Sequence, residues 1–340
     1  MPYKRLSILL LCLASAAQAA PLYTLTKTVP IGGPDHWDLL TFDSSSNRVF
    51  IAHGDRVTVV DVQEGTVVGN VEGFTGGTHG VAIVPALHRG YTDDGEAATA
   101  NSFDLKTLKV LKSIPAAADA DAIVFDPRSG YLFVIDSDPG KITVINPATD
   151  TVLTTLDGGG KLEIGVADGH GKLYVNGEAK REILRIDTRT LDIDARWPIP
   201  DCESPHGIAV DTQHHHLFSS CANQLMVVVS AQDGALLASL PIGAHTDGAA
   251  YDPTRQRAFS SNGDGTLTVI GEPTPDKFTV LDNVPTSLGA RTMTIDPKSG
   301  RLFLVAADLK VNEAVDPKDF RHRYTATPGS AKLLIYDPVQ

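Results

Sequence analysis

The 340 residues hold only three cysteines, three methionines and two tryptophans, and aromatic side chains make up 6% of the chain. After residue 20 no stretch has roughly 18 continuous apolar residues, so none reads as a membrane-spanning helix. There is no Gly-x-Ser-x-Gly elbow, the usual mark of an α/β serine hydrolase. Gly158-Gly159-Gly160 precedes no helical pattern that could supply amide donors to a phosphate. Basic residues are outnumbered, 29 against 41 acidic, for a net charge of −12. That balance weighs against general nucleic-acid binding, which runs on phosphate neutralisation.

The first 20 residues read as a secretory signal. Lys4 and Arg5 give the positive start, Leu6 to Ala16 an apolar run too short to span a bilayer, and Ala17-Gln18-Ala19 the cleavage site. Cys12 lies in that run, but Leu9-Leu10-Leu11 before it lacks the small residue of a lipoprotein signal. Residues 21–340 are expected to form one exported domain in the periplasm, a monomer with no membrane span. Without Lys4 and Arg5, 27 basic and 41 acidic side chains remain, a net charge of −14. Cys202 and Cys221 are the two cysteines left. Export permits a disulfide between them. Free thiols, or a soft-metal site with His206, are the alternatives.

What is present is a repeat. DLLTFDSSSNRVFIA begins at Asp38, and related segments begin at His79, Asp121, Glu163, His206, Asp247 and Arg291. A period near 40 with several short strands per period reads as propeller blades. In the third copy Ala122–Asp126, Tyr131–Ile135, Lys141–Asn146 and Thr151–Leu156 read as strands. Pro-Arg-Ser-Gly, Ser-Asp-Pro-Gly and Pro-Ala-Thr-Asp turns separate them. The expected fold is all-β, a seven-bladed β-propeller. The seventh copy has only three strands, and Leu22 to Val29 has no blade of its own. Pairing that segment as the missing outer strand closes the last blade and removes two exposed edges. The seventh copy also carries a polar insertion, residues 308–330. It reads either as a solvated flap or as a lid over the channel mouth.

Leu173-Tyr174-Val175-Asn176-Gly177 and Phe259-Ser260-Ser261-Asn262-Gly263 resemble YVTN-type repeats. The segment after residue 20 is similar to exported YncE-like seven-bladed propellers. The resemblance implies the fold. For function it implies little, because such propellers host binders, surface proteins and enzymes alike. Nucleic-acid binding enters only by that analogy.

Aligned on the aspartate that ends the first strand, one position reads Asp38, His79, Asp121, Glu163, His206, Asp247 and Arg291. Every member is ionisable, where a random surface gives about one charged residue in four. In a propeller this position falls at the channel rim. Two residues earlier the chain reads His36, Gly77, Asp119, Lys161, Ser204, His245 and Gly289. His53 and His322 are expected at the same opening. Three readings follow: a merely solvated rim; a divalent transition-metal site drawing on His36, His79, His206 and His245; or a catalytic site with His79 or His206 as base and Arg291 as anion clamp. The preferred function is a binding or scaffold protein presenting this rim to a small-molecule ligand, metal ion or protein partner. A metal-dependent hydrolase or lyase is the alternative. His214-His215-His216 reads as a solvated turn on the opposite face, and Trp37 as packing between blades.

Overall fold

The computed structural model describes residues 20–33, 36–275, 277–316 and 319–339. The expected leader, apart from Ala20, lies outside the described residues. Seven four-stranded antiparallel sheets follow one another along the chain. The third is typical: Ala120–Asp126, Tyr131–Asp136, Lys141–Asn146 and Thr151–Asp157 pair in sequence order. These match the expected strands to within two residues.

The turns explain why the chain folds back where it does. The aspartate after each first strand accepts backbone N–H groups two or three residues on. Asp43 holds Ser45, Asp126 holds Arg128 and Ser129, Asp168 holds His170, Asp211 holds Gln213, Asp252 holds Thr254 and Arg255, and Asp296 holds Lys298. This is the Asx turn. The second blade has Val84 at that place and turns through a 3-10 segment, Pro85–Leu87.

The middle strands are buried on both faces, because each blade is stacked between two others. Leu132, Phe133, Val134 and Ile135 are fully buried, whereas the outer strand Thr151–Asp157 is largely exposed. Among the described residues the core divides into seven clusters, one at each blade-to-blade interface. Each large side chain in them contributes about 1.5–3 kcal/mol of transfer free energy.

The ring is closed by the N-terminal strand. Tyr23–Pro30 pairs antiparallel with Lys332–Pro338 and becomes the outer strand of the seventh blade. Tyr23 is fully buried and meets the Phe259 ring edge-on, centroids 5.3 Å apart. Leu22 N–H donates to Asp282 of the sixth blade, and Lys27 donates to the Gln63 and Glu64 carbonyls of the first. Cys202 and Cys221 are disulfide-bonded, joining the approach to the fifth blade's first strand to the end of its second.

The insertion has regular structure of its own. Leu309–Val311 pairs with Tyr324–Ala326, and a single helical turn, Phe320–Arg323, sits between them. Among the described residues no helix is long and apolar enough to cross a membrane.

Candidate functional site

Each blade's first strand packs against the first strands of both neighbours, all the way round. A channel is therefore enclosed, and it has two chemically distinct ends. One end is a cavity of about 930 Å³ lined by all seven rim residues, Asp38 to Arg291, together with His36 and His245. The other is a bore of about 570 Å³ lined mainly by apolar side chains and backbone, with Leu39 and Ile164 bordering both.

The seven side chains divide into two groups. On one side runs a chain of alternating charge. Arg291 Nε lies 3.2 Å from Asp247 Oδ2, His206 Nδ1 stands 3.8 Å from Asp247 Oδ1 and 3.5 Å from Glu163 Oε2, and Lys161 Nζ reaches Glu163 at 3.4 Å and Glu178 at 2.6 Å. On the other side are Asp38, His79 and Asp121, whose donor atoms all lie within 4.8 Å of one another. His79 Nδ1 is 3.0 Å from the Ala120 carbonyl. A carbonyl only accepts, so Nδ1 carries a proton, which leaves Nε2 as the ring atom a metal would take. Asp93, fully buried, fixes this residue from behind by accepting the His79 and Gly80 backbone N–H groups.

The electrostatics favour a guest of positive charge. Burial pushes the Asp38 carboxyl well above its ordinary range, and repulsion from Asp247 adds to this against the pull of Arg291. Burial likewise raises Asp121 and Glu163. Asp93 is pushed up to about 8 by burial. His206 is held above its usual value: burial pulls it down, but Glu163 and Asp247 outweigh that. Its Nδ1 stands between those two carboxylates at ion-pair rather than close hydrogen-bond distance. Asp38 is held by its backbone, whose N–H donates to the Ala52 carbonyl at 2.9 Å, and its side chain borders the cavity.

The flanking position also carries backbone strain. Asp119, Ser204 and His245 adopt left-handed φ values of 58°, 46° and 59°. This turns their carbonyls toward their own blade, where they accept N–H groups from Ser137, Ala222 and Gly263. Strain of roughly 1–2 kcal/mol per residue is thereby held beside the cavity.

Not every expected histidine reaches the opening. His36, His79, His206 and His245 do. His53 does not: it is fully buried in the first blade, its Nδ1 2.9 Å from the Thr58 hydroxyl. His322 points to solvent and pairs with Asp319. The insertion does border the cavity, through Leu309, Asp319, Phe320, Tyr324 and Ala326. Trp37 packs against the core between the first and seventh blades and also borders the cavity. The reading of His214-His215-His216 as a solvated turn holds only for His215. His216 begins a strand and is buried, and His214 is partly so.

No family model matches the chain. It is 26% identical over 207 residues to the uncharacterized protein YncE of Salmonella typhi, a match covering 58% of this chain and 57% of that protein. The Salmonella typhimurium protein of the same name gives the same figures. The matched part thus spans little more than half the length of these relatives. Among solved structures, a chain of the Kuenenia stuttgartiensis hydrazine synthase superposes with a TM-score of 0.68 at 15% identity, over 86% of this chain and 95% of that one. A chain of a mitotic checkpoint complex does so with a TM-score of 0.75 at 14% identity, over 98% and 100%. Identities this low carry the fold alone. The chain is thus a seven-bladed β-propeller that is similar to YncE over little more than half of its length.

Proposed function

We propose that this is an exported binding protein whose channel mouth takes a cationic ligand, a divalent transition-metal ion held by Asp38, His79 and Asp121. One observation carries the reading: three donor groups from three blades, within 4.8 Å of one another, in a cavity where carboxylates outnumber fixed cations. Imidazole and carboxylate oxygen suit zinc, copper or nickel. The crowding of buried carboxylates there, which holds Asp38 well above its ordinary range, supports it. Export is supported by the leader-like residues 1–20 and by the Cys202–Cys221 bond. The acidic mouth argues against nucleic acid as the guest, since phosphate is repelled there.

A second reading, a metal-dependent hydrolase or lyase, is favoured by Arg291. Its side chain is about half exposed (49%) in the same cavity, where it can clamp an anionic group of a substrate bound to the metal.

Calorimetric titration of chelator-stripped protein with Zn²⁺, Cu²⁺ and Ni²⁺ tests both. Binding that falls at least ten-fold in Asp38→Asn and in His79→Ala is expected. If the unsubstituted protein binds none of these ions, both readings are lost.

A further inference from the structure

On the face opposite the rim, the turn between the first two strands of the fifth blade packs against the sixth blade. Asp211 ends one strand, His216 begins the next, and His214 lies in the turn between them. Glu272, near the end of the long strand Thr266–Thr274, reaches across from the sixth blade. His216 Nδ1 is 2.5 Å from Glu272 Oε1. His214 Nδ1 is 2.6 Å from Asp211 Oδ2 and 3.6 Å from Glu272 Oε1. The donor atoms of Asp211, His216 and Glu272 all lie within 4.8 Å of one another, and all three residues are buried.

We propose that Asp211, His214, His216 and Glu272 form a second metal site, a zinc site between the fifth and sixth blades. The donor set is two imidazoles and two carboxylates, which suits a closed, four-coordinate zinc centre of zero net charge. In a tetrahedron with bonds of about 2.0–2.2 Å the donors stand about 3.3 Å apart. The observed 2.5, 2.6 and 3.6 Å straddle that value. Asp211, His216 and Glu272 already stand within 4.8 Å of one another, whereas His214 lies outside that group and completes the set by turning its ring inward.

The surroundings are those of metal ligands. Each carboxylate has one oxygen tied down from outside and the other turned inward. The Tyr251 hydroxyl donates to Glu272 Oε2 at 2.9 Å, and the Gln213 backbone N–H donates to Asp211 Oδ1 at 2.9 Å. Outer partners of this kind orient ligands toward a metal. The Phe278 ring meets His216 edge-on, centroids 5.2 Å apart, and walls the cluster off. Two buried carboxylates this close repel each other unless a proton or a cation lies between them, and a divalent ion would serve both at once.

The test uses the full chain carrying Asp38→Asn and Asp121→Asn, which disables the rim and leaves this cluster intact. The protein is stripped with a chelator and titrated with Zn²⁺ and with Co²⁺. One equivalent is expected to bind, with the strong visible absorption of tetrahedral cobalt and a rise of several degrees in melting temperature. Adding His214→Ala, on a partly exposed turn that tolerates the change, weakens binding at least ten-fold. His215→Ala, its exposed neighbour, leaves binding unchanged. If the rim variant binds neither ion, or if His214→Ala and Glu272→Gln both bind as before, the proposal fails and the cluster is a hydrogen-bonded clasp. Failure of the rim reading looks different: the rim variant and the unsubstituted protein then bind the same number of ions.

Discussion

The ring of Phe320 lies against that of His245, with centroids 4.4 Å apart. One belongs to the insertion of the seventh blade and the other to the rim of the sixth. The contact bends the insertion over the cavity, and Tyr324 backs it from behind with its centroid 4.6 Å from Phe320. The insertion thus forms part of the cavity wall.

Removing that contact should loosen the wall before anything else. An aromatic pair of this kind is worth about 0.5–1.5 kcal/mol beyond its area. Phe320→Ala is expected to speed amide hydrogen exchange in Leu309–Val311 and Tyr324–Ala326 roughly five-fold, with the blade strands unaffected. Exchange at the unsubstituted rate would show that the Phe320–His245 contact does not hold the insertion down.

Ring closure should depend on Tyr23 far more than on its neighbours. Its side chain fills the interface between the sixth and seventh blades, while Thr24 next to it faces solvent. Tyr23→Ala is expected to cost about 3–5 kcal/mol and Thr24→Ala less than about 0.5 kcal/mol in denaturant unfolding. Equal losses from the two would mean that the N-terminal strand closes the blade by backbone pairing alone.

Asp136 should make stability fall as pH rises. It is fully buried and accepts a hydrogen bond from Thr143 at 2.8 Å. Burial raises its carboxyl from 3.8 to about 6. Well below pH 3.8 the group is protonated whether folded or unfolded, and its contribution is fully present. Between about pH 4 and 6 the unfolded chain releases the proton first, so that contribution is lost, about 2–3 kcal/mol in all. Asp136→Asn cannot titrate. Its melting temperature relative to the unsubstituted protein is therefore expected to be more favourable at pH 7.5 than at pH 4. A difference that stays constant between those two pH values would rule this out.

Much of the architecture could be read from local chemistry. The aspartate turns recur because an Asx turn needs only its own four or five residues, and they set the register that aligned Asp38 with Arg291. The missing fourth strand of the seventh copy and the unassigned N-terminal strand were visible as a shortage and a surplus. The histidines were harder. His53 ends a strand whereas His79 stands two residues before one, and sequence order gave no sign that His53 turns to Thr58 rather than to the opening. His214-His215-His216 looked uniform, yet the strand begins at His216 and carries that ring inward. The partner that makes it matter, Glu272, is 56 residues away on another blade.

The sequence by itself determined the number of blades, their turns and the ionisable character of one position in every copy, because those follow from short-range hydrogen bonding and from a repeat of near-constant length. Only the closed ring decided which of those groups meet. Asp38, His79 and Asp121 come from different blades, as do Asp211 and Glu272. Their proximity comes from the circular packing of first strands and from the interface between the fifth and sixth blades, both products of long-range burial.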